Sequence, residues 1–351
     1  MGVILKKATI CGICCTLPKE ILNMKELAAL YGEKAVQKIV RATGIERVHI
    51  APPEKTTADY CFDAATALLE ILRCPVEKID GIVFVSQTPD YILPATSVLL
   101  QKRLGIPKRS VAFDINYGCS GYVYGLLQAH MLVETNCCQN VIVCVGDTVT
   151  RYIHPKDKAL RLVMGDGASA TLVCRSASDN PVSFAVFTDG NRAEQLIIPA
   201  GGNRCPIVQG VTDREESDAD GNVRSQEQLY MNGLEIMQFA LNDIEPVLQE
   251  TLQCLQWKTI DIDVFAFHQA NAFIVQYLAK KLHLPREKVP IQVKRNGNTG
   301  SASIPLLLCE EYAEATVKPQ KVLLCGFGVG LSCAAMVADM RQTIYCKTRQ
   351  I

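Results

Sequence analysis

Three short stretches of this chain carry residue types that could do chemistry together. The first is DINYGCSGYVYGL, 114–126, where Cys119 stands between Gly118 and Ser120-Gly121. An apolar run, Val111 to Phe113, leads in, and the pattern Tyr122, Leu126, Leu127, Ala129 leads out. The thiol therefore falls where a strand gives way to a helix. A thiol at a helix N-terminus sees the positive end of the helix dipole, which favours the thiolate. Flanking glycines let a substrate carbonyl approach the backbone, where an N–H can receive a developing oxyanion. The second stretch, FAFHQANAF, ends a strand on His268, and the third, RNGNTGSASIP, holds Asn298 in a glycine-punctuated turn before a helix. Together these supply a nucleophile, a proton-handling imidazole and an amide donor that cannot titrate. Alone, each has a plainer reading: a structural turn cysteine, a satisfied polar histidine, an asparagine of turn chemistry.

The elements that must position them follow from periodicity. DGIVFVSQ (80–87), SVAFDI, NVIVCVGD (140–147) and SATLVCR (169–175) read as buried strands, and ATSVLLQKRLG as a helix closed by Gly105. In the second half, MNGLEIMQFALNDIEPVLQETLQ reads as one long helix, IDVFAFH as a strand and AFIVQYLAKKL as a helix. KVLLCGFGVGLSCAAMVA reads as two strands joined by a glycine loop. This alternation predicts a layered α/β protein. The polar stretch 213–228 (DREESDADGNVRSQEQ) is expected to be a surface loop.

Composition narrows the function classes. Thirty-six basic residues balance thirty-six acidic ones, so no global field favours nucleic acid or an anionic membrane. No apolar run reaches the length of a membrane span, and the N-terminus lacks the charge-then-apolar pattern of a signal peptide. Most of the sixteen cysteines sit in apolar runs, which fits free thiols in a reducing cytoplasm. Cys11, Cys14 and Cys15 in CGICC have no second cysteine or histidine pair to complete a metal site, and none is expected.

In these contexts and in this order the motifs resemble the 3-oxoacyl-acyl-carrier-protein synthase III family of the thiolase superfamily. The resemblance runs over nearly the whole chain: TGIERVHIA (43–51), LPATSVLLQKRLGI (93–106), the Cys119 segment, MGDGASATLV (164–173), HQAN (268–271), NGNTGSASIP (296–305) and GFGVG (326–330). It implies a thiolase-like fold of two similar halves, residues 1–176 and 177–351, forming a five-layered αβαβα core, and a homodimer. It implies a ping-pong reaction without a bound cofactor. Cys119 takes an acyl group from a thioester, acyl-CoA or acyl carrier protein. A malonyl thioester on acyl carrier protein then loses carbon dioxide and condenses with the acyl-cysteine, in fatty-acid initiation or a specialised fatty-acid or polyketide pathway. His268 and Asn298 would stabilise the enolate, and the backbone N–H groups of Cys119 and Val329 would form the oxyanion hole. Phe327 and Leu93 would shape the acyl pocket.

The chain departs from the family pattern in places. The tryptophan and arginine that sandwich adenine in relatives correspond to Lys38 and Ala42, and a further adenine-contacting arginine to Lys158. The only tryptophan is Trp257. Lysine and alanine cannot replace stacking and cation–π attraction, so the clamp is either absent or rebuilt from Arg41 or Arg151. Phe273 stands where relatives carry a carrier-docking arginine, leaving Lys280 and Lys281 as carrier-binding candidates. Leu93 replaces a phenylalanine that reaches across the dimer in primer-selective relatives, which predicts room for a longer or branched acyl group. Two other readings keep the same residues: acyl transfer to an alcohol or amine without condensation, and a partner subunit of a heterodimeric synthase. A thiolase is less consistent, because Cys325 is one position out of place for the second cysteine and Asn298 stands where thiolases carry histidine.

Overall fold

The computed structural model describes residues 2–351. Its apolar runs sort into two mixed sheets. The larger has seven strands: Ile344–Tyr345, Ala8–Leu17, Gly167–Arg175, Asn140–Asp147, Gly81–Val85 and Val111–Ile115 in order, with Arg349–Gln350 also paired to Ala8–Leu17. The smaller has five, in the order Gly2–Leu5, Val182–Thr188, Ser332–Asp339, Lys321–Gly328, Val264–Phe267. One scheme recurs in both. Asn140–Asp147 is parallel to Gly81–Val85 and antiparallel to Gly167–Arg175. Lys321–Gly328 is likewise parallel to Val264–Phe267 and antiparallel to Ser332–Asp339. Sheet membership crosses the middle of the chain. The first strand joins the smaller sheet, and the last two join the larger.

Two helices, Gly121–Glu134 and Ser303–Tyr312, fill the space between the sheets. Tyr122, Leu126, Ile304 and Leu307 are fully buried there, between Val83 and Val143 of one sheet and Ala266 and Leu324 of the other. Helices apolar on nearly every side suit a layer with no solvent face. Thr57–Ile71 and Thr96–Leu104 cover the outer face of the larger sheet, while Gly233–Asn242, Ile244–Cys254 and Ala272–Lys281 cover that of the smaller. The order is αβαβα, five layers, and the parallel strands, buried on both faces, explain the continuous apolar runs of the sequence.

Two expectations change. The long helix from Met231 is two helices, Gly233–Asn242 and Ile244–Cys254, joined at Asp243. Pro246 has no N–H to give the carbonyl of Asn242, so the ladder breaks just upstream. Asp243 instead pairs with Arg192 at 2.9 Å. Within 213–228 lies a short hairpin, Glu216–Ser217 against Val223–Arg224. It is pinned by Arg224 to the buried carboxylate of Asp157 (3.0 Å) and by Glu215 to His154 (3.0 Å). All sixteen cysteines are free. Among the described residues no cluster of three or more His, Cys, Asp or Glu could hold a metal, and no helix is long and apolar enough to cross a membrane.

Candidate active site

The strand Val111–Ile115 ends in a tight turn, closed by Gly121 N–H donating to the Gly118 carbonyl at 2.7 Å, and the central helix starts at Gly121. Ser120 occupies the cap position without capping. Its hydroxyl instead meets Ser332 Oγ at 2.7 Å, and Ser332 Oγ donates to the Val329 carbonyl at 2.7 Å. This relay fixes the Val329 loop beside Cys119. The glycines of GFGVG permit the approach. A Cβ on Gly326 would lie 2.6 Å from the Cys119 carbonyl oxygen, and one on Gly328 would lie 2.9 Å from Cys119 Cβ and 3.0 Å from its sulfur.

The backbone N–H groups of Cys119 and Val329, the two that the sequence reading assigns to the oxyanion hole, act on the Cys119 sulfur in the sense that favours its thiolate. Burial pushes the thiol up to about 12; the nearby carboxyl of Asp147 adds to that push, and the two N–H groups oppose it. The sequence reading had the helix end favouring the thiolate. Desolvation by the Gly326–Gly328 strand outweighs that here, so the resting group is a thiol.

His268 follows the strand Val264–Phe267, its N–H donating to the Cys325 carbonyl at 2.8 Å. Its ring meets that of Phe327 edge-on, with centroids 5.4 Å apart. Nδ1 lies 2.7 Å from Ser303 Oγ, and the same hydroxyl accepts the Gln269 N–H at 3.3 Å. In the tautomer that carries its proton on Nε2, the Ser303 hydroxyl donates to Nδ1. Burial lowers the imidazole pKa to about 3, against a backbone hydrogen bond with Gly300 that works the other way. His268 is therefore neutral around pH 7.

Asn298 is stitched into the first half by its backbone: its N–H donates to Val163 O and its carbonyl accepts from Gly165 N, both at 2.9 Å. Its Oδ1 accepts the Gly300 N–H at 3.0 Å, so Nδ2 is the group left to donate. Gly300 (φ +57°) thus touches both His268 and Asn298. The strand Lys321–Gly328 completes the convergence, with Phe327 on His268 and Gly328 on Cys119.

Other residues named from the sequence lie elsewhere. Leu93 sits with Tyr91 and Ile92 on an exposed loop and is 79% exposed. Phe327 is buried behind His268. Lys280 is exposed and Lys281 half-buried at the end of Ala272–Lys281, where Lys280 shares a cleft with Gln276 and Arg286. Lys38 and Ala42 line a groove with Lys34, Gln37 and Arg41 on the helix Glu33–Thr43. Arg151 is committed to the carbonyls of Pro52 and Lys55, Lys158 to that of Asp220, and Trp257 stacks under Lys321. Of the two arginines offered as replacements for the clamp, only Arg41 faces the groove. Sequence reasoning missed Ser303, Gln87 and Asp147. Ser303 lay inside a motif already quoted, whereas the other two follow apolar strands and gave no signal beyond polarity at a strand end.

Comparison with known proteins places the chain in a family. The model for 3-oxoacyl-[acyl-carrier-protein] synthase III matches residues 113–190, and the model for the C-terminal part of the same family matches 252–340. The beta-ketoacyl-[acyl-carrier-protein] synthase III of Caldanaerobacter subterraneus is 32% identical over 94% of this chain and 97% of its own. A crystal structure of the 3-oxoacyl-(acyl-carrier protein) synthase from Burkholderia xenovorans superposes with TM-score 0.92 and 33% identity, covering 100% of this chain and 99% of that one. Another synthase III structure superposes with TM-score 0.91 and 39% identity over 95% of this chain and 99% of its own. The chain, thiolase-like in fold, belongs to the 3-oxoacyl-[acyl-carrier-protein] synthase III family of acyl-transferring condensing enzymes.

Proposed function

We propose that the enzyme works in two half-reactions divided between the two sides of the site. In the first, the Cys119 sulfur attacks the carbonyl of an acyl thioester. The oxyanion rests on the N–H groups of Cys119 and Val329, the donor thiolate leaves and takes up the proton, and an acyl-cysteine remains. In the second, the carboxylate of a malonyl thioester leaves as carbon dioxide and its bonding pair becomes an enolate. His268 Nε2–H and Asn298 Nδ2–H hold the enolate oxygen. The enolate carbon attacks the acyl-cysteine, a C–C bond forms, and the Cys119 thiolate departs and is reprotonated. A neutral imidazole and an amide suit this role because neither must lose a proton to stabilise the charge. No bound cofactor enters this scheme.

The observation that carries the reading is the convergence of the two halves of the chain on the thiol: the strand Lys321–Gly328 brings Gly326 and Gly328 against Cys119 and Phe327 against His268. Preorganised backbone donors contribute about 3–4 kcal/mol each where charge develops. The acceptor in this reading is malonyl acyl carrier protein, with Lys280 and Lys281 on the docking side. For the acyl donor, the groove of Lys34, Lys38 and Arg41 offers positive charge and no aromatic ring. That favours a carrier-borne acyl group over coenzyme A. The exposed Tyr91–Leu93 loop suits a homodimer in which it closes the partner's acyl pocket, and the proposed location is the cytoplasm.

The test is intact-mass spectrometry of the protein offered a panel of acyl-CoA and acyl carrier protein donors, then malonyl acyl carrier protein. The expected result is one acyl mass on Cys119, cleared with release of a 3-oxoacyl product. An acyl-enzyme that malonyl carrier never clears would point to transfer without condensation. Acylation only in the presence of a second synthase chain would point to a partner subunit.

A further inference from the structure

Asp147 ends the strand Asn140–Asp147 in the floor of the site and has no part in the chemistry above. It is 2% exposed, and no basic group bonds to it among the described residues. Its Oδ1 collects three donors from one turn: the Gln87 N–H at 2.7 Å, the Ser86 hydroxyl at 3.1 Å and the Thr88 hydroxyl at 3.4 Å. Gln87, fixed this way, lays its side chain against Gly118, where any Cβ would collide with it. The other oxygen faces the opposite wall. Oδ2 accepts from Ser301 Oγ at 3.5 Å and lies where a Cβ on Gly300 would come within 2.9 Å. Gly300 is the residue whose backbone bonds both His268 and Asn298. One carboxyl therefore braces the turn beside the nucleophile and the turn that aims the two donors.

We infer that Asp147 is a positioning residue shared by both sides of the site, and that its negative charge, when present, withholds the Cys119 thiolate. This rests on the two-half-reaction reading for its catalytic meaning, but not for its test. The charged or titratable groups that act with Asp147 are Cys119 from the nucleophile turn, Cys61 from the helix Thr57–Ile71 and Asp166 from the segment before Gly167–Arg175. None is a cation. Burial raises the Asp147 carboxyl to about 7, with Asp166 adding to the rise and the Gln87, Ser86 and Thr88 donors opposing it. The carboxyl is thus neutral in mild acid and charged in mild base. Its charge and that of a Cys119 thiolate are mutually unfavourable, so each ionisation suppresses the other.

The experiment is the rate of Cys119 alkylation by iodoacetamide between pH 5.5 and 9.5 on the full chain, followed by mass mapping of the peptide that holds Cys119, with Cys119→Ala giving the background of the other fifteen free thiols. The reagent attacks only the thiolate, forming a thioether and releasing iodide, so log rate tracks thiolate fraction. With Asp147 coupled, the wild-type profile rises with unit slope, flattens near pH 7 as the carboxyl ionises, then resumes on a lower line. Asp147→Asn keeps an acceptor and removes the charge. Its profile should coincide with wild type below about pH 6 and run about tenfold above it beyond pH 8, a shift of roughly one pH unit. A wild-type profile of unbroken unit slope, or a bend that survives in Asp147→Asn, overturns the assignment. If that variant does not fold, Asp147→Ser is read in the same way, and an unbroken wild-type line ends the coupling without any variant. For positioning, Asp147→Ala should slow clearance of a preformed acyl-enzyme by malonyl acyl carrier protein, with Asp147→Asn restoring it. Equal loss in both variants would contradict the positioning role. Because alkylation needs no acyl donor, its outcome is independent of whether the condensation reading holds.

Discussion

The turns 116–120 and 297–302 are built alike, yet they put different chemistry into the site. Each is a polar, glycine-bearing segment that feeds a buried helix of the central layer, Gly121–Glu134 or Ser303–Tyr312. The first presents a thiol that burial and Asp147 push up to about 12. The second presents Asn298, which cannot titrate, and holds His268, which burial keeps neutral down to about pH 3. One architecture thus carries a group that must change charge and, opposite it, groups that must not. The difference comes from what the last polar contacts do: two N–H groups favour charge on sulfur on one side, while on the other Ser303 Oγ holds the imidazole Nδ1 and the Gly300 N–H occupies the amide oxygen.

The comparison can be broken most sharply at the nucleophile. Cys119→Ala should abolish acyl loading, a loss of about 10⁴-fold or more in turnover, read as an unchanged intact mass with every donor. Next come His268→Ala and Asn298→Ala. Each should leave loading within a few-fold of wild type and slow condensation by roughly 10²–10³, the cost of one donor to a developing oxyanion; single-turnover clearance of acyl-enzyme measures it. Ser303→Ala removes the hydroxyl that holds Nδ1 and should cost about tenfold in that same step, consistent with a lost buried hydrogen bond of about 1–2 kcal/mol. Gly326→Ala drives a Cβ into the Cys119 carbonyl and should lower stability by about 1–3 kcal/mol in urea unfolding. The smallest effect is an absence. A depressed imidazole pKa means that His268 gains a proton only near pH 3. Clearance of preformed acyl-enzyme should therefore show no acid limb near pH 6.5 from this residue, and a limb there that disappears in His268→Gln would contradict the buried neutral ring.

The sequence made the strands legible because most are buried on both faces. NVIVCVGD coincides with Asn140–Asp147, and Gly105 closes its helix at φ +76° as a left-handed cap should. The three reactive residues were legible because glycine, cysteine, histidine and asparagine at element ends are short-range signals. What eluded the sequence depends on packing between distant segments. The helix break at Asp243 turns on a proline whose effect falls upstream of it, in a run that otherwise keeps helical period. The direction in which Cys119 shifts depends on the Gly326–Gly328 strand, two hundred residues later, covering the sulfur. Asp147 is a polar residue at the end of an apolar strand, and only the meeting of the Ser86–Thr88 turn with Gly300 and Ser301 gives it partners.

The division of labour between the two turns is tested most directly by trapping. Asn298→Ala would be loaded with an acyl donor that wild type accepts, mixed with malonyl acyl carrier protein, and followed by intact mass over time. The account predicts that the acyl-cysteine persists in the variant while wild type clears it to a 3-oxoacyl product. Failure of Asn298→Ala to load, or clearance at the wild-type rate, would contradict the assignment of loading to one turn and condensation to the other.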